Sequence, residues 1–484
     1  MKKYYLLASA ILALTISACT PSVKPSEKPS EEESQQPSQP SEHIETPAVE
    51  PTVEVAFEKI DDTVGVPSYV QQYVDAMHEQ EGTITYPHRV DKLYCNMSWE
   101  EAASQADKGD GTKYDDDHSG GVDVCQMLSR TQKYECKPIE IKWDKGDEDY
   151  SGAKLVFWSK EDKSDKREVA VEADGASAKL PNLFRNTKYY YQLVNGDDAS
   201  QMKNFVTADY PRMITMGDIS NVRDMGGYQS SYGGTLNQGL IYRGGEMAVE
   251  AFTDGSNRHS KNWTDAAQVV QKEVLNIGLE LDLRTKSGSG NMVQSPLEYD
   301  GEGNSDGRAE YKRCSINSYD KFITDPNRAS EADNAGRNLV KEIFETLSNA
   351  DKQHVYFHCW GGADRTGVTG FLLLGICGVS YTDAIIDFEL TTLTNNKRCH
   401  MHNSSSAHMP KFLNLFVTEY TFERDGQQYK YEFDEEKTLR YNAENLLLAM
   451  GVEQATIEKI RTIMIPGYQT GVSEENEMVN KGWQ

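Results

Sequence analysis

The stretch from His354 to Val379 constrains the fold more tightly than any other part of the chain. His354-Val355-Tyr356-Phe357 is a short β-branched and aromatic run suited to a buried strand. It leads into His358-Cys359-Trp360-Gly361-Gly362-Ala363-Asp364-Arg365-Thr366-Gly367. The apolar VTGFLLLGICGV behind that loop reads as a buried helix. Strand, glycine-containing loop and helix in this order belong to an α/β domain, and strand-like and helix-like segments alternate from about residue 211 onward.

Such a loop is an anion site by its own geometry. Where a loop turns into a helix, several N–H groups lack intrahelical partners, and the helix dipole adds positive potential. Gly361 and Gly362 allow the backbone to curl so that those groups converge. Arg365 offers a planar fork for two oxygens of a phosphate. Cys359 sits in the same positive field, which lowers its thiol below the free value of about 8.5. A thiolate facing a bound phosphate is a nucleophilic catalyst.

His-Cys, five residues, then Arg-Thr-Gly resembles the phosphate-binding loop of the protein tyrosine phosphatase superfamily. Asn221-Val222-Arg223-Asp224-Met225-Gly226-Gly227-Tyr228, Gly239-Leu240-Ile241-Tyr242-Arg243 and Ile277-Gly278-Leu279-Glu280-Leu281-Asp282-Leu283-Arg284 are similar to segments of a bacterial secreted subgroup of tyrosine and lipid phosphatases. So is the tail segment ENLLLAMGVEQATIEKIRTIMI. The resemblance implies an α/β cysteine-phosphatase domain, a central sheet flanked by helices, over residues 210–470. It implies Cys359 as nucleophile, Arg365 and the loop amides of Trp360, Gly361, Gly362, Ala363 and Gly367 as holders of the phosphoryl oxygens, and Thr366 as a hydrogen-bond donor to the sulfur. His358 would orient the loop. No metal and no other cofactor is implied.

The general acid has two candidates. Asp364 lies inside the loop, where the subgroup carries an aspartate; Asp325, with Asp320 nearby, lies about as far ahead of the cysteine as the mobile-loop acid of dual-specificity phosphatases. Arg223, Asp224, Asp282 and Arg284 are expected to form an ion-pair set under the site, with seating of substrate phosphate as the alternative for the arginines. Ala363 stands where the subgroup usually has lysine, which removes a positive charge from the mouth. Trp360 either walls a phosphotyrosine ring or packs on the domain surface. The expected substrate is a phosphorylated peptide or a small phosphate monoester. A phosphoinositide or inositol phosphate is the alternative, and an inactive phosphate-binding or adhesion module the second.

Upstream, residues 137–209 change texture to short alternating runs. IEIKW, AKLVFWS, REVAVEA, SAKL, KYYYQLV and MKNFVT read as strands of a small β-sandwich. Leu183-x-Arg185-x-Thr187-x-Tyr189 resembles the corner of fibronectin type III domains, where a tyrosine hydroxyl ties back to nearby backbone; that family usually has proline where Arg185 stands. Residues 57–136 remain unassigned and partly helical, with VPSYVQQYVDAM among the helical runs. The acidic DKGDGTKYDDDHSGG within them does not fit the EF-hand spacing and reads as a solvated loop.

Residues 1–18 have the pattern of a signal peptide, with Lys2 and Lys3 before an apolar run too short to span a bilayer. Ile16-Ser17-Ala18-Cys19 resembles a bacterial lipobox, which implies a lipid on Cys19 and an exported protein held on the extracellular face of the cell membrane. Residues 19–56, rich in Pro, Ser, Glu and Gln, are a solvated tether, and residues 471–484 a tail. A net charge of -26 argues against nucleic acid as a partner, and against membrane contact other than through the lipid. Eight cysteines in 484 residues are too sparse for a disulfide scaffold. Cys377 is expected to be buried and inert. Cys95, Cys125, Cys136, Cys314 and Cys399 are candidates for a disulfide outside the cell, and the sequence alone does not assign a pairing.

Overall fold

The structure is a computed structural model that describes residues 51–60, 66, 68–79, 138–247, 264–285, 309–316, 318–324, 336–394 and 408–470. Two β-sheets form the first part. Strands β1 (Ala56–Phe57), β2 (Ile139–Asp144), β3 (Lys154–Trp158), β4 (Arg167–Ala170), β5 (Ser177–Leu180), β6 (Lys188–Asn195), β7 (Asp198–Ala199) and β8 (Lys203–Val206) make up both. The order is β1-β2-β5 in one sheet and β4-β3-β6-β7 in the other, with β8 also on β6. Alternation drives the arrangement. Ile139, Ile141 and Trp143 of β2 face Leu155, Phe157, Tyr189, Tyr191 and Leu193 across a shared core, while their neighbours along each strand are more exposed. All six strands expected from the sequence form. The solvated tether expected over residues 19–56 ends sooner: Thr52 and Val53 bond to the sandwich, Val55 is buried in its core, and β1 adds to it in antiparallel register with Trp143 and Asp144.

The tyrosine corner is present: the Phe184 N–H donates to Tyr189 Oη at 3.0 Å. Arg185 stands at this corner for a physical reason. Its N–H donates to Gln238 Oε1 at 3.0 Å, which proline could not do, and the Gln238 amide returns a bond to the Arg185 carbonyl.

The second part is built on a five-stranded sheet. Strands β9 (Arg223–Asp224), β10 (Ile241–Gly244), β11 (Ile277–Asp282), β12 (Glu310–Arg313) and β13 (His354–His358) lie in the order β12-β11-β13-β10-β9. All pairs are parallel except β9 with β10. Helices α1 (Ser68–Glu79), α2 (Asp265–Val269), α3 (Tyr319–Thr324), α4 (Leu339–Leu347), α5 (Asp364–Ile376), α6 (Tyr381–Glu389), α7 (His408–Phe416), α8 (Leu439–Met450) and α9 (Gln454–Met464) accompany it, and a hairpin of β14 (Tyr420–Arg424) and β15 (Gln427–Tyr431) completes the described part. Helix α5 is apolar nearly all round and is the buried central helix of this domain, as an all-apolar pattern requires. Helix α1 belongs to this domain too: Val70, Tyr73, Val74 and Met77 join its core, and Tyr73 Oη donates to the buried Glu389 at 2.8 Å.

The register of the sheet decides where a site can form. His358 at the end of β13 pairs with Gly244 of β10 on one side and with Asp282 of β11 on the other. The loops that follow these three strands therefore converge at the carboxyl edge of the sheet, the usual place for a ligand in a parallel sheet.

Candidate active site

The loop Cys359–Ala363 occupies that edge, between β13 and α5. Its shape follows from where its carbonyls go. The Cys359 carbonyl lies 2.9 Å from His358 Nδ1. The Trp360 carbonyl accepts from the Glu246 N–H at 3.0 Å. The Gly361 and Gly362 carbonyls each accept from Asn221 Nδ2 at 3.0 Å, and Gly362 also accepts from Arg243 Nη2 at 2.8 Å. The Ala363 carbonyl accepts from Gly367 N–H within the first turn of α5. Because a trans peptide directs its C=O and N–H to opposite sides, tying these carbonyls to the sheet side turns the following N–H groups toward the mouth. Gly362 adopts φ +64°, and a Cβ there would lie 2.2 Å from the Gly244 carbonyl oxygen. Only glycine lets the loop come so close to β10.

Cys359 is buried at the start of this loop. Burial pushes its thiol up, but the Arg365 guanidinium pulls it down, and hydrogen bonds from the Thr366 hydroxyl and N–H add to that pull against the opposing charge of Asp364. The balance lies below the ordinary thiol value. Among the described residues the Thr366 hydroxyl has no oxygen or nitrogen partner. By contrast, at Cys314 and Cys377 burial outweighs the pull of the nearby Arg337 and Arg461 and pushes both thiols up to about 12. These two, like Cys359, are free among the described residues. Cys19, Cys95, Cys125, Cys136 and Cys399 lie outside the described residues.

Arg365 Nη1 donates to the carbonyls of Leu283 at 3.1 Å and Ile316 at 2.9 Å. One corner of the guanidinium is thereby pinned to the loops after β11 and β12, which fixes its plane beside the cysteine. Asp364 opens α5 and is half-buried. Asp325 lies outside the described residues; Asp320 lies on α3, where Ser318 Oγ donates to it.

His358 is fully buried, with Nε2 2.8 Å from Glu280 Oε1 and Nδ1 at the Cys359 carbonyl. Both ring nitrogens face acceptors, an arrangement that only the doubly protonated ring satisfies. Burial lowers the ring's pKa, but the charge of Asp282 and the bond to Glu280 outweigh it, so the pKa is raised. Sequence reasoning missed Glu280, although its place two residues before Asp282 on a strand buried everywhere but at Gly278 made it an anomaly worth a partner.

The four residues expected to pair beneath the site do not form one set. Arg284 does bind Asp282, with Nη2 at 2.8 Å, but it also reaches Glu246 Oε2 at 2.8 Å. Arg223 ignores Asp224 and donates from Nε to Asp387 at 2.9 Å. Asp224 instead holds Arg212 at 2.6 Å, at the boundary with the sandwich. The reason is the pleat: adjacent residues on β9 point to opposite faces, so Arg223 and Asp224 cannot serve one cluster. Asp387, Arg243, Asn221 and Arg212 were the missing partners. Trp360 is half-buried, with the Arg284 guanidinium 6.0 Å from its ring centre, and Ala363 is wholly buried.

Parts of the chain are similar to known proteins. A tyrosine-protein phosphatase of Nostoc commune is 28% identical over 127 residues, which are 24% of this chain and 41% of that protein. The fibronectin type III domain of human contactin 1 matches 16% of this chain and 71% of its own at 20% identity, with a TM-score of 0.14. A model of the tyrosine phosphatase family matches residues 214–466, which hold the sheet, the loop and α5 to α9. With just over half of its length inside that match, the chain belongs to the tyrosine phosphatase family.

Proposed function

We propose that the protein hydrolyses phosphate monoesters through a cysteinyl-phosphate intermediate, with phosphotyrosine as the preferred group. The observation that carries this reading is the loop itself: a depressed thiol beside a pinned guanidinium, in a backbone curl whose carbonyls all point away. In the first step the Cys359 thiolate attacks phosphorus, and the bond from phosphorus to the ester oxygen breaks. Asp364, protonated, gives its proton to the leaving oxygen, so the alcohol departs neutral. In the second step water attacks the cysteinyl phosphate, Asp364 takes its proton, and the P–S bond breaks to return the thiolate and release phosphate. Thr366 stabilises the departing sulfur. Arg365 and the loop amides hold the three equatorial oxygens through both steps.

Asp364 is favoured over Asp325 as the acid because it opens α5 one residue from Arg365, on the rim of the loop. A buried alanine at position 363 leaves the mouth without the lysine that would suit a multiply phosphorylated inositol. The lipobox-like Ile16-Ser17-Ala18-Cys19 and the tether behind it support a lipid-anchored enzyme on the outer face of a bacterial membrane. The two-sheet domain, with its tyrosine corner, supports a fibronectin III-like module ahead of the enzyme.

The test is hydrolysis of a phosphotyrosine peptide, a phosphoserine peptide, a phosphoinositide and inositol hexakisphosphate, with EDTA present, by wild type and Cys359→Ser. The expected result is chelator-resistant turnover, fastest on phosphotyrosine and abolished in the variant. Fastest turnover of an inositide would replace the substrate. No turnover by folded protein on any of them would reduce the domain to a phosphate-binding module.

A further inference from the structure

The underside of the phosphate loop holds an asparagine in an unusual position. Asn221 is buried and has φ +62°, the left-handed region that a residue other than glycine enters at a cost. Its amide nitrogen faces three acceptors: the Gly361 and Gly362 carbonyls at 3.0 Å and Thr391 Oγ1 at 3.1 Å. Its amide oxygen accepts from Arg223 Nη1. That last bond settles which end of the amide is which, because an NH2 group cannot face a guanidinium. Arg223 is held in turn by Asp387, through Nε to the carboxylate at 2.9 Å and Nη2 to the main-chain carbonyl at 2.5 Å. The other carboxylate oxygen of Asp387 accepts from Arg243, whose Nη2 shares the Gly362 carbonyl with Asn221. Two wholly buried arginines thus share one buried aspartate directly beneath the loop.

We infer that Asn221 is a positioning residue for the phosphate: oriented by Arg223, it pulls the Gly361 and Gly362 carbonyls down so that the amides behind them face the bound oxygens. The inference rests on the reading of the loop as a phosphate site. Loss of the amide takes a donor from both carbonyls, and a peptide plane that turned in response would present its carbonyl to the phosphate with a partial negative charge. Arg243 secures one plane alone. The Gly361 carbonyl accepts a side-chain bond from Asn221. The role is distinct from that of Arg365, which contacts the anion itself.

Asn221→Asp is the discriminating change. It is isosteric and keeps the oxygen that receives Arg223, but sets an acceptor against two carbonyls. Asn221→Gly is the companion: it suits the left-handed backbone and removes the amide without adding charge. Each would be compared with wild type in p-nitrophenyl phosphate hydrolysis, inhibition by orthovanadate and the pH profile of Cys359 alkylation by iodoacetate. For Asn221→Asp we expect kcat/KM to fall about 100-fold, orthovanadate inhibition to weaken in step, and the alkylation midpoint to move up. Asn221→Gly should shift all three in the same direction by less. Unchanged orthovanadate inhibition and an unchanged alkylation midpoint in folded Asn221→Gly would overturn the inference, whatever its melting temperature. If Asn221→Asp does not fold, Asn221→Gly decides alone. Wild type that neither turns over the ester nor binds orthovanadate would instead overturn the phosphatase reading, so the two failures are distinguishable.

Discussion

At the scale of single residues, the proposed chemistry depends on a contest over one sulfur. Burial opposes the Cys359 thiolate, and Arg365 and Thr366 support it strongly enough to leave the thiol below its ordinary value. The sign is fixed by the direction of that shift. Alkylation of Cys359 should rise with pH and level off at a midpoint below that of an unperturbed thiol. Arg365→Ala removes the largest favourable influence and should move the midpoint upward, while kcat/KM falls about 100- to 1000-fold for lack of a donor to the transition state. An unmoved midpoint would mean that the loop amides set the thiol alone. The sequence made Cys359, Arg365 and Thr366 legible because all three sit within eight consecutive residues, and short spacing survives any uncertainty about tertiary contacts. Arg223 and Asp224 were legible as buried charges but not as partners of Asp387 and Arg212: Asp387 lies 164 positions away, and Arg212, though only 12 away, is brought to Asp224 by the fold rather than by a local period.

At the scale of elements, the loop exists because β13, β10 and α5 approach one another closely. Gly362 lets the loop cross over the end of β10, and Gly370 lets α5 lie against Arg243, where an added Cβ would come within 2.9 Å of Nη1. Gly362→Ala meets both obstacles at once, a left-handed φ and a backbone oxygen at 2.2 Å that no rotamer can move aside. We expect a cost of about 1–3 kcal/mol in stability and a loss of more than 100-fold in p-nitrophenyl phosphate hydrolysis, because the amides are displaced. A thermal melt and a rate assay on the purified variant check both; wild-type activity would show that the loop tolerates a different path. Strand and helix identities were largely readable here. Alternation gave the six sandwich strands, and the apolar run behind Thr366 gave α5. What the sequence concealed were elements of two or so residues, such as β1 and β7, whose pattern is too short to carry a period. Helix α1 was readable as a helix from VPSYVQQYVDAM, but nothing local said that its Tyr73 would reach Glu389, 316 positions along the chain.

At the scale of the whole molecule, the sandwich and the catalytic sheet are joined through one tightly bonded corner. Arg212, almost wholly buried, donates to Asp224 at 2.6 Å, to the Asn182 carbonyl at 2.8 Å and to the Leu183 carbonyl at 3.1 Å. Its guanidinium also lies 4.2 Å from the centre of the Phe184 ring. Asn182 adds a reciprocal pair of bonds to Thr215, and Arg185 another to Gln238. Asp224 meanwhile accepts from the Gly226 and Gly239 N–H groups at 2.8 Å, so the carboxylate that anchors the sandwich also ties down the edge of the catalytic sheet. Because the bonds of Arg212 cross the boundary and are shielded from water, the two parts should unfold together. Arg212→Met keeps the apolar stem but strands a buried carboxylate, which costs about 3–5 kcal/mol. Calorimetry should therefore give one transition for wild type and two for Arg212→Met. Arg212→Met with Asp224→Asn should recover part of the lost stability without rejoining the transitions, since the amide removes the unpaired charge and not the missing bonds to Asn182 and Leu183. If the single variant still melts in one step at the wild-type temperature, the corner contributes nothing to cohesion, and the sandwich is a passenger on the enzyme.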